Sequence, residues 1–278
     1  MVISNIYKEM CDIMSQNPNS DANFEANQLI EFVLGKKRIE LLQTDISNED
    51  YEKLISLSKK RLEGYPLQYI IGKWYFFDME LSVGEGVLIP RQDTETVCEA
   101  AFEQINKMVA PTVLDLCSGS GCIALAIKKY CPHSSVVAIE KSEQAYKYLV
   151  ENIKNTGIKI LPMQADILRF DNNVEEESFD VIISNPPYID PAVKQDLQTE
   201  VSYEPEMALF ANDKGLYFYR FIAKYYRKAL KDKGFLIFEY GFDQQKQVKD
   251  ILTGEGYKVI KEIIDLGGNP RGIVVQKI

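Results

Sequence analysis

The sequence predicts an α/β fold: a doubly wound, mostly parallel seven-stranded sheet with an antiparallel edge strand, preceded by a small helical domain and a β-hairpin linker. Three observations carry this. From residue 111 onward, short β-branched runs alternate with helical patterns, which is the signature of parallel crossover units. The stretch TVLDLCSGSGCIALAI reads as a strand, a glycine turn and a helix. The last two strand patterns are separated only by DLGGNPRG, too short for a crossover, so they form an antiparallel hairpin at the sheet edge.

In chain order, residues 1–64 read as a helical bundle. Ile3, Ile6, Tyr7, Met10, Ile13 and Met14 recur at helical spacing. Asn17-Pro18 breaks that pattern, Asp21 caps a second helix, and Gly35 ends it. Ser47 or Asn48 caps a third helix, which stops near Gly64. Residues 65–92 are aromatic and β-branched and predict the hairpin linker. Residues 93–278 form the sheet domain, entered through a helix to about Lys107 that Asp93 or Thr94 can cap. Strands are expected at 113–116, 135–139, 158–164, 179–184, 235–239, 258–264 and 273–276. Helices are expected at 121–130, 142–155, 215–230 and 243–253.

Composition narrows the function. The 278 residues carry a formal net charge of −9. A tight nonspecific nucleic-acid binder carries surplus Lys and Arg, so no direct nucleic acid is expected. Lys224, Arg227, Lys228, Lys231 and Lys233 look like one basic helix, read as a solvated face whose cations complement its dipole. No apolar run reaches the 18–20 residues that span a bilayer, and Glu9 and Asp12 interrupt the N-terminal apolar pattern. These features predict a cytoplasmic protein without membrane contact. The five cysteines form no CxxC pair, and the one histidine, His133, sits in a loop-like CPHSS, so no metal site is expected.

The chemistry gathers at strand ends. Gly119 and Gly121 let the backbone bend close to a ligand before a helix N-terminus. Their pattern alone does not separate dinucleotides from other nucleosides. Asp115, just before the glycines, would repel a pyrophosphate but not a cation. Glu140 ends the next strand and can accept from ribose hydroxyls. Asp166 and Ile167 follow the third strand, where they suit an adenine amino group and its ring. Singly, each acid reads equally as a cap or a surface charge. Together, at three successive strand ends, they point to a nucleoside site, and the acidic pocket points to S-adenosylmethionine, which would leave as S-adenosylhomocysteine.

The fourth strand runs into Ser184-Asn185-Pro186-Pro187-Tyr188. Two prolines remove two backbone donors and stiffen the corner. The Asn185 side-chain carbonyl and the Pro186 backbone carbonyl can accept both N–H groups of a planar NH2. Tyr188 can pack on the flat substrate. Such a clamp orients a delocalised nitrogen toward a methyl donor without a strong base.

At these residues the sequence resembles the glutamine methyltransferases of peptide chain release factors, the HemK/PrmC family. PLQYIIG, GVLIPRQDTE, LDLCSGSGCIALA, SNPPYI, YEPEMALFANDKGLYFYR and GFLIFEYGFDQ match it in order over nearly the whole chain. The resemblance implies a class I S-adenosylmethionine-dependent methyltransferase fold and, as acceptor, the glutamine of the Gly-Gly-Gln loop of a class I release factor. By motif position, Cys117, Ser118, Gly119, Ser120, Gly121, Glu140, Ile167 and Asn185 would contact the donor. Asn185, Pro186, Pro187 and Tyr188 would hold the glutamine, and the N-terminal domain would dock the release factor, with a monomer expected. Departures are Gln92 for the usual proline, Cys117-Ser118 for Gly-Thr, Glu140 for aspartate and Ile167 for an aromatic residue. Two other readings use the same corner: an adenine or guanine N-methyltransferase on nucleic acid, and a noncatalytic adaptor. The residues leave open whether Glu204 orders the site or caps a loop.

Overall fold

The computed structural model describes residues 2–42, 44–170 and 174–278. The chain divides into two compact units: Met1–Lys73 with Gln198–Tyr203, and Trp74–Leu197 with Glu204–Ile278.

The first unit packs α1 (Ile3–Met14), α2 (Ala22–Leu34) and α3 (Asn48–Leu62) around Ile3, Ile6, Met10, Leu29, Ile30 and Leu54, all buried. A short α4 (Leu67–Ile71) follows. The start and stop residues act as their chemistry dictates. The Asp21 carboxylate accepts the Phe24 N–H at 3.1 Å, and the Ser47 hydroxyl accepts that of Asp50 at 3.0 Å. Gly35 closes α2 at φ +66°, where a side chain would be strained. An ion pair is buried here. The Arg61 guanidinium donates to Glu25 and Glu200, each at 2.6 Å, and to the Tyr65 carbonyl at 2.6 Å.

In the second unit, β1 (Lys73–Phe76) and β2 (Met79–Ser82) pair as a hairpin. Phe76, Met79 and Leu81 are buried in the same core as α5 (Gln92–Ile105). The predicted linker is therefore part of that unit's core. The main sheet holds β3 (Thr112–Leu116), β4 (Ser135–Glu140), β5 (Leu161–Gln164), β6 (Phe179–Ser184), β7 (Leu230–Glu239), β8 (Tyr257–Ile264) and β9 (Pro270–Lys277). Their order is β5-β4-β3-β6-β7-β9-β8. All neighbours pair in parallel except β9, which runs antiparallel to both β7 and β8. The seven strands and the edge hairpin stand as predicted. The reversed strand is β9, inserted one place in from the edge.

Both faces of the sheet are covered. Val113, Ile183 and Ile237 pack under α5 and α6 (Cys122–Tyr130). Leu114, Ile182 and Leu236 pack under α10 (Tyr217–Tyr225) and α11 (Gln245–Gly254). The remaining helices are α7 (Glu143–Thr156), α8 (Ile167–Phe170) and α9 (Glu206–Leu209).

Some local expectations are corrected. The helix expected over 215–230 stops at Tyr225, because Ala229 and Leu230 are buried and Leu230 already pairs with Phe179. Lys231 and Lys233 thus lie on β7, and the five cations share no helix. Lys231 pairs with Asp180 at 2.8 Å, and Arg227 donates to the Ile278 carbonyl at 2.8 Å. The cap of α5 is Arg91, with no side-chain cap bond. Asp93 in its first turn pairs instead with Arg271 at 3.0 Å.

Candidate active site

The register of β3 with β6 pairs Leu116 with Ser184, so the glycine loop and the proline corner leave the sheet side by side. The Ser184 hydroxyl donates to the Leu116 carbonyl at 2.7 Å and ties the two strand ends. Above them lies a cavity of about 360 Å³, within the range of small-molecule sites.

One wall is the glycine loop: Cys117, Ser118, Gly119 and Ser120. Gly119 sits at φ +56°, and an added Cβ would meet nothing within 4 Å, so its backbone is open to close approach. Gly121 does not line the cavity. It sits at φ +83°, where a Cβ would strike Leu149 Cδ1 at 2.4 Å, so it serves the packing of the loop against α7. Cys117 takes φ +62°, a sparsely populated region for a side-chain-bearing residue. Burial pushes its thiol well above the ordinary range, so it is not a ready thiolate.

The second wall comes from the ends of β4 and β5. The Glu140 carboxylate accepts the Gly119 N–H at 2.8 Å and the Ser142 N–H at 2.7 Å. Burial raises its pKa, and those N–H groups offset part of the rise. Each oxygen keeps a further lone pair for a ligand hydroxyl. Asp166 accepts the Leu168 N–H at 3.0 Å and pairs with Lys141 at 3.0 Å. Partial burial pushes its pKa up, but Lys141 and that N–H outweigh it and hold the carboxyl below its usual value. Ile167, buried, completes this wall.

The third wall holds the corner. Asn185 and Pro187 line the cavity, and both prolines are buried. Among the described residues the Asn185 amide makes no hydrogen bond, although it faces a cavity bounded by protein. The backbone beside it is fixed. The Tyr188 and Ile189 N–H groups donate to the Leu209 carbonyl at 3.2 and 2.8 Å, and Gln244 Nε2 donates to the Tyr188 carbonyl at 2.9 Å. Gly215 leaves room for this: a Cβ there would lie 2.0 Å from that carbonyl oxygen.

The structure therefore gathers Cys117, Ser118, Gly119, Ser120, Glu140, Asp166, Ile167, Asn185 and Pro187 around one cavity. Pro186, Tyr188, Gly121 and Asp115 lie outside its lining. The Tyr188 ring packs against the core cluster of α10 and α11, and burial raises its phenol pKa. Asp115 is fully buried, and neither carboxylate oxygen has a hydrogen-bond partner among the described residues. Burial pushes its pKa up to about 8. Glu239, at the end of β7, is also buried, with one unpartnered oxygen, and burial raises it to about 7.

Sequence reasoning assigned no site role to Arg91, Thr94 or Gln244, reading Thr94 only as a candidate helix cap. Arg91 and Thr94 line the cavity, and Gln244 props the corner. Their motifs, IPRQDTE and GFDQQ, were visible as family text, but no spacing rule links them to the cavity.

Comparison with known proteins agrees with this architecture. The family model "PrmC N-terminal domain" matches residues 6–72, and "Methyltransferase small domain" matches residues 94–210. The release factor glutamine methyltransferase of Thermodesulfovibrio yellowstonii is 39% identical over 260 residues, covering 91% of this chain and 92% of that protein. Its counterpart in Clostridium botulinum is 32% identical over the full length of both chains. Among solved structures, a methyltransferase from Pyrococcus furiosus shares the fold, with a TM-score of 0.53, 18% identity and coverage of 82% of this chain and 98% of that one. The helical N-terminal region, the glycine loop and the Asn-Pro-Pro-Tyr corner thus sit in a sequence aligned nearly end to end with these relatives, and the chain belongs to the release factor glutamine methyltransferase family.

Proposed function

We propose that this protein methylates the side-chain amide nitrogen of the glutamine in the Gly-Gly-Gln loop of a class I peptide chain release factor, with S-adenosylmethionine as donor. The observation that carries the reading is the unengaged Asn185 amide on a braced corner, facing the same cavity as the open backbone of Gly119.

The residues present fit the donor. The open face of Gly119 admits a ligand against the backbone, and Glu140 offers free lone pairs to two ribose hydroxyls. Asp166 and Ile167 line the cavity and suit an adenine amino group and its ring. When bound, S-adenosylmethionine supplies a methyl group made electrophilic by its sulfonium, leaving S-adenosylhomocysteine.

The chain's own part is to orient a poor nucleophile. The Asn185 side-chain carbonyl and the Pro186 carbonyl accept the two amide N–H bonds, which turns the nitrogen's face toward the donor. Their negative ends favour the positive charge that develops on nitrogen during transfer. The proline pair and the Gln244 bond fix the carbonyl directions in advance. Tyr188, half-buried against the core, stiffens the corner from behind. The methylated nitrogen gives its proton to water, so no side-chain base is needed. Modification of a translation factor places the reaction in the cytoplasm.

The test is incubation with methyl-labelled donor and, separately, release factor, bulk RNA or DNA. Label is expected on the release factor glutamine. Label on nucleic acid alone rejects the acceptor. Asn185→Ala should lower kcat by 10²-fold or more with folding intact, and unchanged turnover would reject the role given to Asn185.

A further inference from the structure

We propose that Arg91 reads the main-chain carbonyls of the acceptor's glycine-rich loop and that buried Glu204 is the positioning residue that aims it; this rests on the acceptor assigned above. The Arg91 side chain is 38% exposed and lines the cavity, whereas the Glu204 side chain is 2% exposed. Glu204 Oε1 accepts from Arg91 Nη2, and its Oε2 accepts the Ile89 N–H at 3.0 Å. One carboxylate therefore ties together two walls of the cavity: Leu88 to Arg91 on one side, and the segment from Pro205 to Phe210 on the other.

The placement of Glu204 along the chain gives this tie a purpose. Residues 198–203 pack with the first unit, and Glu204 is the first residue of the second unit after that excursion. The bond to Ile89 and the pair with Arg91 fix where the chain resumes, five residues before Leu209, which holds Tyr188 and Ile189.

Arg91 then has donors to spare. Only Nη2 is used among the described residues, which leaves Nε and Nη1 free in a rigid planar fork. The donor half of the cavity has its own cation, Lys141, already paired with Asp166. Arg91 instead acts electrostatically on Tyr188 and Glu239, at the proline corner, and shares the cavity lining with Pro187, Pro205 and Met207. A Gly-Gly-Gln segment has no side chains to shield its first two carbonyls, so it presents bare acceptors to such a fork. Guanidinium donors aimed at carbonyls give directional selection that an ammonium point charge does not reproduce.

Two variants test this in the full chain. Glu204→Gln keeps an acceptor for Ile89 but removes the charge that holds Arg91. Arg91→Lys keeps the charge but removes the fork. Each is measured for kcat and KM with intact release factor, for donor affinity by calorimetry with S-adenosylhomocysteine, and for thermal unfolding. Expected for both is an acceptor KM raised tenfold or more, with donor affinity changed less than threefold and the melting temperature within a few degrees. A purely structural tie would lower the melting temperature of Glu204→Gln and leave Arg91→Lys unaffected, and that result overturns the proposal. So does a loss of donor affinity with acceptor KM unchanged, which would place Arg91 on the donor. If the parent protein does not label release factor, the acceptor reading fails and takes this inference with it. If the parent labels it and both variants behave like the parent, only the inference fails.

Discussion

Asp115 offers a quantitative test of the buried site. Its carboxyl is fully buried without a hydrogen-bond partner among the described residues, and burial raises its pKa from 3.8 to about 8. The folded pKa lies above the unfolded one. The folded protein thus holds a proton that the unfolded chain releases, and the resulting stability is complete below about pH 4 and lost by about pH 8. The slope through that window is about 1.4 kcal/mol per pH unit. Between pH 5 and pH 7 this group should cost the fold about 3 kcal/mol, and over the whole window on the order of 6 kcal/mol. Asp115→Asn removes the titration and keeps the shape. Glu239, also raised by burial, titrates in both proteins and cancels in the difference. The assay is urea unfolding without donor at pH 5, 6, 7 and 8, followed by fluorescence of Trp74, the only tryptophan, which lies in the second unit. The variant should gain on the parent by about 2–3 kcal/mol from pH 5 to pH 7. A difference that stays flat within about 0.5 kcal/mol over that range would show that Asp115 is solvated or paired, and the argument would fail.

Other perturbations address the corner. Gly215→Ala would place a Cβ 2.0 Å from the Tyr188 carbonyl oxygen at φ +81°, so the backbone must move. A loss of about 2 kcal/mol or more in urea unfolding is expected, together with lower kcat; a variant with both unchanged contradicts the close approach. Gln244→Leu removes the donor to the Tyr188 carbonyl and the acceptor for the Gly241 N–H. It should cost about 1–3 kcal/mol and lower kcat while leaving donor affinity unchanged, and calorimetry beside steady-state kinetics separates these.

The sheet was legible because its signals are local. Alternating strand and helix patterns, the glycine turn and the eight-residue DLGGNPRG link before Ile273 each reveal themselves within a few residues. The ends of β3, β4, β5 and β6 then meet at one edge by topology alone, which is why Glu140, Asp166 and Asn185 could be grouped in advance. Partners distant in sequence were not legible. The Glu204 bond to Ile89 spans 115 residues and the Gln244 bond to Tyr188 spans 56, and no periodicity encodes either. The placement of Asp115 was hidden for a different reason. Side chains alternate along β3, so Asp115 shares a face with Val113 under α5 and α6. Both faces of this strand are buried, so alternation leaves no polar or apolar contrast to reveal which way the carboxylate turns. The basic cluster misled because Arg227 and Lys228 prolong the pattern of α10, while burial of Ala229 and Leu230 commits the chain to β7.

The corner shows how a weak chemical group becomes selective. Asn185 is half-buried, and its amide makes no hydrogen bond among the described residues, so it stays open to solvent at the cavity. The surrounding structure offers it no alternative partner inside the protein. Pro186 and Pro187 offer no N–H to its side-chain oxygen, and they stop the backbone from rotating toward one. The neighbouring amides of Tyr188 and Ile189 are committed to Leu209, and the Tyr188 carbonyl to Gln244. The hydrogen-bond capacity of Asn185 is therefore reserved for whatever enters from outside. In the proposed clamp, a planar NH2 group satisfies both the side-chain oxygen and the Pro186 carbonyl at once. A hydroxyl has only one proton to offer, and a thiol is a weak donor, so each leaves an acceptor unmet. Selectivity for amide nitrogen follows from that mismatch, since unpaired polar groups in the complex discriminate more strongly than added contacts.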